Sequence, residues 1–275
     1  MPQSEAVQSE EPAAGVEPDD RQAIGLQCME IFGGSESKYD AISVPGIDAS
    51  ITSKPYAGAK DGGDIYYVSL CGSGNIGRFV LADVSGHGDE VAEVSGVLRR
   101  LMRKHVNTPN QARFARALNR EFSQLSESGK FATAVLMTYF APTSQLVVSN
   151  AGHPAPLWYR AEDRSWHRLG EDHDLACSRG SVKLGLHNLP LGVIDETRYS
   201  QFTVPIGKGD LVLAFTDGFA ESRNDNGEML GEDGLLEIAR GLDPSDPDHL
   251  LERLNGEVFN GRYAIDDDAT IMLLR

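Results

Sequence analysis

Hydrophobic positions along the chain follow two periods, and each period predicts a different kind of element. Runs rich in β-branched and aromatic residues, bounded by turn residues, predict strands. These runs cover residues 65–70, 77–84, 131–140, 145–150, 155–160, 201–206, 210–216 and 269–275. Apolar residues at helical spacing predict helices near 89–106, 110–127, 231–241 and 247–260. Strands joined by short turns, with the helices in blocks, predict an α+β layered sandwich of antiparallel sheets covered by helices.

The polar segments divide the chain into a tail and a globular part. Residues 1–20 contain six acidic residues, no basic residue and little that could be buried, which predicts a disordered acidic tail. From residue 21 onward the pattern shows no second linker and no internal repeat. We therefore expect a single domain over residues 21–275. The stretch 21–60 does not resemble a sensor domain.

Composition narrows the classes of function. The net charge is −16, with 41 acidic against 25 basic residues. This argues against a nucleic-acid or anionic-membrane surface, because both need clustered Lys and Arg. No apolar run approaches the roughly 18 residues of a membrane span, and the N-terminus has no signal-peptide core. Three widely spaced cysteines fit a reducing compartment, so we expect a cytoplasmic protein with no nucleic-acid or membrane partner.

The glycines of "GSGNIG" (72–77) have the spacing of a nucleotide-binding fingerprint, but a strand follows them instead of a helix. A hairpin turn explains them better. In a hairpin centred between Ser73 and Gly74, Asp64 and Asp83 stand opposite each other, with Cβ atoms roughly 4.5–5.5 Å apart. Asp83 also ends an apolar run, where an unpaired charge is costly. Two carboxylates placed in this way need a shared proton or a cation.

Further carboxylates mark the ends of other predicted strands. Asp217 follows the apolar run "LVLAFT" and precedes Gly218, and Asp266, Asp267 and Asp268 stand just before the last strand. Taken singly, an Asp-Gly pair is typical of a turn and an Asp triplet of a solvated loop. Acidic residues at several strand ends of one domain favour a cation site instead. Hard oxygen ligands without a His or Cys cluster favour Mg²⁺ or Mn²⁺ over zinc.

Six motifs in order along the chain resemble those of a known family. They are "GGD" (62–64), "ADVSGHG" (82–88), "NAGHPAP" (150–156), "LPLGV" (189–193), "GDLVLAFTDGFAES" (209–222) and "DDAT" (267–270). In this order they resemble the SpoIIE-like branch of the metal-dependent protein phosphatases of type 2C. The resemblance spans about residues 60–275. It implies a four-layer α-β-β-α sandwich with a two-metal site between two antiparallel sheets.

The resemblance also implies a role for each acidic position. Asp83 would bridge two divalent cations, Mn²⁺ or Mg²⁺. Asp64 and the backbone carbonyl of Val84 would hold one cation, and Asp217 and Asp267 would hold the other. Asp64 and Asp83 are therefore the predicted catalytic residues.

For some positions the sequence supports two different roles. Asp268 is the alternative to its neighbour Asp267 as a ligand. Asn150 and His153 match the family, but a capped turn explains them as well as catalysis does. The helix at 89–106 leaves the metal-bearing turn and is a regulatory element by resemblance, whereas its apolar spacing fits a core role equally. No arginine that would hold a phosphate is evident in the sequence.

The implied function is hydrolysis of phosphoserine or phosphothreonine by a metal-activated water, in a protein serine/threonine phosphatase. The resemblance implies a bacterial partner-switching pathway, with a phosphorylated anti-sigma-factor antagonist as the protein substrate. Control would come from a separate protein, from self-association as a homodimer, or from residues 21–60. Two alternatives stay open. One is a non-catalytic metal-binding module of the same fold that binds a signalling partner, and the other is a phosphatase that acts on a small molecule.

Overall fold

The strands and helices follow the hydrophobic pattern to within a few residues at most ends. The computed structural model describes residues 23–26, 31–36, 38–56, 59, 61–71, 74–86, 89–125, 129–170, 186–259 and 262–275. The predicted acidic tail lies outside these residues. In the described part of the chain, no helix has both the length and the apolar character needed to cross a membrane.

The elements are numbered in chain order. The strands are β1 (Ile24–Gly25), β2 (Ile31–Glu36), β3 (Lys38–Val44), β4 (Ile47–Lys54), β5 (Asp61–Leu70), β6 (Ile76–Val84), β7 (Ala132–Phe140), β8 (Gln145–Ala151), β9 (Leu157–Arg160), β10 (Ser165–Arg168), β11 (Phe202–Pro205), β12 (Leu211–Phe215), β13 (Arg223–Asn224), β14 (Tyr263–Ala264) and β15 (Ala269–Leu274). The helices are α1 (Asp89–Lys104), α2 (Gln111–Leu125), α3 (Asp217–Ala220), α4 (Gly231–Arg240) and α5 (Pro247–Phe259).

Two large sheets form the centre of the sandwich. Sheet A has the strand order β1-β3-β4-β15-β12-β9-β10, and sheet B has the order β11-β8-β7-β6-β5-β2. Neighbouring strands are antiparallel except for the parallel pair β1–β3. The pairing of β4 with β15 brings an early and a late segment of the chain into one sheet.

Three apolar layers hold the sandwich together. Tyr66 and Phe79 belong to the layer between the two sheets. Phe114 of α2 packs with the outer face of sheet B, and Leu254 of α5 packs with Phe215 on the outer face of sheet A. Each sheet is thus buried on both faces, with helices outside. The predicted α+β fold with four α-β-β-α layers is confirmed.

Alternation along the central strands decides which side chains face the space between the sheets. In β6, Phe79 and Leu81 lie in the layer between the sheets, whereas Val80 packs against the helices. Side chains two residues apart share a face of a strand, so Asp83 points between the sheets. Asp64 shares the face of Tyr66 in the same way.

The sequence pattern did not predict β1 to β4, β10 or α3. In β3 and β4, serines and charged residues interrupt the apolar positions, although Ile42 and Ile51 are fully buried. Pairing with β15 stabilises strands that the local pattern leaves weak. In α1, the apolar residues Val91 and Leu98 are buried in the layer beneath the helix, which agrees with the core interpretation of that helix.

Candidate active site

The Asp64–Asp83 pair stands where the hairpin geometry predicted it. In the antiparallel pair β5–β6, Asp64 is directly opposite Asp83, so the predicted register is confirmed. Asp64 is only 2% exposed. Like charges facing each other destabilise a strand pair, and burial adds to that cost. The two carboxylates therefore need a proton or a cation.

Asp64 has a hydrogen-bond partner on one carboxylate oxygen and none on the other. Thr216 donates its hydroxyl to Oδ2 at 2.8 Å, and the same hydroxyl oxygen accepts the backbone N–H of Thr270 at 2.9 Å. These threonines tie Asp64 to the end of sheet A. Oδ1 is buried without a hydrogen-bond partner among the described residues. Burial, and then the charge of Asp83, raise the pKa of Asp64 well above its ordinary value.

Carboxylates from three strand ends converge on Asp83. Burial raises the pKa of Asp83 to about 8, and the charges of Asp217, Asp267 and Asp268 add to the effect. Burial also raises the pKa of Asp217 to about 6, followed by the charge of Asp267. The ends of β6, β12 and the segment before β15 therefore place negative charges close enough to affect one another. A divalent cation would neutralise this charge.

The adjacent residues Asp267 and Asp268 have different surroundings. Asp268 is 6% exposed and accepts the backbone N–H groups of Tyr56 at 2.6 Å and Gly63 at 2.5 Å, one on each carboxylate oxygen. Its carboxylate lies so close to Gly62 that a Cβ there would be 2.6 Å from the Asp268 Cγ. Asp267 is exposed. The geometry favours Asp268 as the support of the "GGD" segment and leaves Asp267 as the candidate ligand.

The Asp-Gly pair at the end of β12 is more than a turn. Asp217 is the first residue of the short helix α3. A Cβ on Gly218 would lie 2.0 Å from the backbone carbonyl oxygen of Asp268. Glycine is therefore required because the backbone before β15 passes directly over α3. This close approach brings Asp217 into the same region as the "DDAT" segment.

The turn after Asp83 is anchored to the start of β7. Ser85 donates its backbone N–H to the Phe131 carbonyl at 2.9 Å, and the Phe131 N–H donates to the Ser85 hydroxyl oxygen at 3.1 Å. Gly86 has a φ of 107°, a left-handed conformation that favours glycine. A Cβ on Gly86 would lie 2.8 Å from the Lys130 Nζ, so this ammonium group lies beside the turn. The last two residues of "SGHG" are outside the described part of the chain.

A capped turn places His153 near the carboxylates. Asn150 accepts the His153 backbone N–H at 2.8 Å and donates its amide to the His153 carbonyl at 2.8 Å, which confirms the capped-turn interpretation. The His153 Nδ1 lies 2.8 Å from the hydroxyl of Thr133, and Thr133 is opposite Asp83 in the pair β6–β7. Burial lowers the pKa of His153 to about 3, so its imidazole is neutral.

The site does not contain a ready-made ligand cluster. Across the described ranges, no three His, Cys, Asp or Glu side chains already stand in metal-binding positions. The donor set nevertheless fits a hard divalent cation, because it consists of carboxylate and carbonyl oxygens, and the buried Asp64 Oδ1 has no other partner. A cleft of about 870 Å³ around Tyr139 and Arg275 lies at the opposite end of the sandwich.

Solved structures with a similar fold include a type 2C relative that contains two domains. The structure of the RsbU and RsbW domains of Rv1364c from Mycobacterium tuberculosis has a TM-score of 0.68 and 20% sequence identity, covering 88% of this chain and 62% of that chain. RsbX in complex with magnesium has a TM-score of 0.62 and 13% identity, covering 86% of this chain and 98% of that chain. The layered fold is thus the type 2C fold.

The family is shown by the sequence. The family model for Stage II sporulation protein E (SpoIIE) matches residues 74–275. The chain belongs to the SpoIIE family, which confirms the resemblance, and the match covers five of the six motifs, since "GGD" (62–64) precedes it. It is also similar to phosphoserine phosphatase RsbU of Bacillus subtilis (strain 168), at 25% identity over 208 residues and 72% of this chain. The chain spans 55% of the length of that relative.

Proposed function

We propose that the chain is a metal-dependent protein serine/threonine phosphatase that hydrolyses phosphoserine or phosphothreonine. The observation that supports this most is the buried Asp64–Asp83 pair, with its unpartnered oxygen and raised pKa values. Membership of the SpoIIE family and the similarity to a phosphoserine phosphatase support the same function. Two divalent cations, Mn²⁺ or Mg²⁺, would supply a water of lowered pKa and a positive charge facing the phosphate.

The proposal assigns each acidic residue a role in binding the cations. Asp83 would hold both cations from the end of β6. Asp64 and the backbone carbonyl of Val84 would hold one cation, and Asp217 and Asp267 would hold the other. The magnesium complex of RsbX, a protein of similar fold, supports a divalent cation in this fold class. No side-chain nucleophile is needed, since the attacking group is water.

The proposed substrate is a phosphorylated protein in a partner-switching pathway, namely an anti-sigma-factor antagonist. The similarity to RsbU and to a structure with RsbU and RsbW domains supports this choice. A cytoplasmic location, suggested by the charge and cysteine spacing of the sequence, and control through a homodimer belong to the same proposal.

Phosphate release from a phosphoserine peptide tests the proposed function. We expect release with Mn²⁺, loss of release on adding EDTA, and loss of release in Asp83→Asn. Manganese binding by calorimetry without turnover of any phosphopeptide would instead support a non-catalytic module. Release that persists in EDTA would contradict the metal-activated mechanism.

A further inference from the structure

A basic segment stands out against the acidic composition of the chain. Residues 97–120 contain seven Lys and Arg residues and no Asp or Glu, in a chain of net charge −16. Residues 231–259, which include the helices on the other side of the sandwich, contain eight acidic and two basic residues. The two helical layers therefore carry opposite charge. The whole-chain charge hides the basic layer.

Arginines on α2 line a cleft. Arg113, Arg116 and Arg120 share one face of the helix, because residues three, four and seven positions apart are neighbours on a helix surface. Together with Arg198 they line a cleft of about 450 Å³ between α2 and the segment 195–198. All four arginines are exposed. The same segment adds two carboxylates to the cleft, so the arginines outnumber them.

These arginines differ from five others on the surface in having no ion pair. In the described structure, none of the four forms an ion pair or a side-chain hydrogen bond. Five arginines elsewhere are each paired with a carboxylate. The pairs are Arg160–Glu162, Arg168–Asp233, Arg240–Glu237, Arg262–Glu257 and Arg275–Asp248. Among the described residues Arg99, Arg100, Arg103, Arg164 and Arg253 are also unpaired. The α2 arginines are distinguished because several of them line one cleft, where they can bind another molecule together.

The chemistry of the cleft indicates what that molecule carries. Guanidinium groups bind carboxylates in a bidentate way and remain charged at every physiological pH. The cleft is short, and the rest of the chain is acidic, so a long polyanion such as nucleic acid or an anionic membrane would be repelled outside it. A short acidic segment of a protein would fit within the cleft and would not extend over the acidic surface around it.

We infer that the α2 cleft is a docking surface for an acidic segment of a partner protein. The inference rests on the proposed function, since the partner is the phosphoprotein substrate, held at a place separate from its phosphorylated residue. The chain after α2 returns to the active site, where Phe131 is hydrogen-bonded to Ser85. The α2 cleft therefore belongs to the helical layer that covers the sheet carrying Asp64 and Asp83.

A binding measurement tests the docking surface without requiring turnover. The probe is fluorescein-labelled decaglutamate, followed by fluorescence anisotropy at low ionic strength. The test variant replaces three α2 arginines with glutamine (R113Q, R116Q and R120Q), and the matched control replaces three paired arginines (R160Q, R168Q and R262Q). We expect about tenfold weaker binding in the test variant and an affinity within about twofold of wild type in the control. Glutamine keeps the helix propensity of arginine, and melting curves check that both variants fold; should the triple variant melt early, the three single variants replace it.

A kinetic measurement connects the surface to the substrate. Two phosphoserine peptides are compared, one with a glutamate-rich flank behind a flexible spacer and one with glutamine in that flank. The α2 variant should raise KM about tenfold for the glutamate peptide only, with kcat unchanged for both peptides. Absence of turnover in every protein would overturn the proposed function, while the anisotropy result would still decide the docking surface.

Two results would overturn the docking surface. One is equal binding of decaglutamate by the α2 variant and the matched control. The other is tighter binding of duplex DNA or of phosphatidylserine vesicles than of decaglutamate, with that binding lost in the α2 variant, because the surface would then serve a nucleic acid or a membrane.

Discussion

Two buried aspartates at opposite ends of the sandwich are stabilised in different ways. Asp210, 8% exposed, accepts the backbone N–H groups of Ala161 at 2.8 Å and Gly207 at 2.9 Å, and the indole N–H of Trp158 at 3.3 Å. Each of its oxygens has a donor. The hydrogen bonds of the buried Asp210 carboxylate are therefore satisfied within the chain itself.

Asp64 is also buried, but its hydrogen bonding is incomplete. It accepts one hydroxyl from Thr216, its second oxygen has no partner among the described residues, and it faces Asp83. A structural carboxylate has its donors within the fold, whereas a functional one keeps an oxygen for a ligand. Asp268 belongs to the structural kind although it lies at the site, since both of its oxygens accept backbone N–H groups. Replacing each aspartate with asparagine separates the two kinds.

The largest effect is expected on turnover in Asp83→Asn. Loss of the bridging carboxylate should reduce the rate of Mn²⁺-dependent phosphate release at least a thousandfold, on the order of 4 kcal/mol in the barrier. Steady-state kinetics on a phosphoserine peptide measures it. Asp210→Asn is the matched control and should keep kcat within about twofold of wild type. Similar rates in the two variants would remove the distinction between the two aspartates.

Asp268→Asn should affect both stability and metal binding. Its amide NH₂ would face a backbone N–H of Tyr56 or Gly63 and leave that donor unsatisfied, at a cost of about 1–3 kcal/mol in the free energy of unfolding. The "GGD" segment, including Asp64, would then lose its support. Urea unfolding and Mn²⁺ calorimetry measure the two effects. An unchanged Mn²⁺ affinity would show that Asp268 does not position Asp64.

Asp210→Asn should affect stability alone. The amide NH₂ would face the N–H donors of Gly207 or Trp158, which would lower the free energy of unfolding by about 1–3 kcal/mol. The Mn²⁺ affinity should stay that of wild type. The same two measurements apply. A loss of Mn²⁺ affinity here would mean that the two ends of the sandwich are coupled.

A further effect is expected in the pH dependence of the metal-free protein. The pKa values of about 8 for Asp83 and about 6 for Asp217 lie above the unfolded value of roughly 3.9. The folded state therefore binds more protons than the unfolded state between about pH 4 and pH 8. The stability that these two carboxyl groups contribute is fully present below about pH 4, and it is lost as the pH rises through their folded pKa values. Melting temperatures in EDTA should thus fall from pH 5 to pH 8, and a rise over this range would contradict the pKa shifts.

The sequence was sufficient for features that depend on one hairpin or one helix. The register that opposes Asp64 to Asp83 follows from a single turn, and the apolar faces of α1 and α2 follow from helical spacing. The layer order followed from the family resemblance carried by the six motifs.

The features that the sequence did not predict depend on contacts between segments that are distant along the chain. Thr216 and Thr133 have no local pattern that distinguishes them from surface threonines, and their roles arise only when two strands meet. Lys130 reaches Gly86 from the segment before β7. Asp267 and Asp268 are neighbours of identical type, so only the backbone that packs against Asp268 separates them. Strand β4 pairs with β15, a distant partner that its own sequence does not reveal, and β3 pairs in turn with β4.

Melting curves of wild type and Asp83→Asn, each in EDTA and in Mn²⁺, test most directly whether a cation is the reason that Asp64 and Asp83 face each other. In EDTA the variant should melt no earlier than wild type, because a like-charge repulsion has been removed. Manganese should raise the melting temperature of wild type and leave that of the variant unchanged. If Asp83→Asn is instead less stable in EDTA, by about 1 kcal/mol as for a lost turn-capping residue, and manganese stabilises both proteins equally, then Asp83 is a structural residue and the metal site proposed between the sheets is wrong.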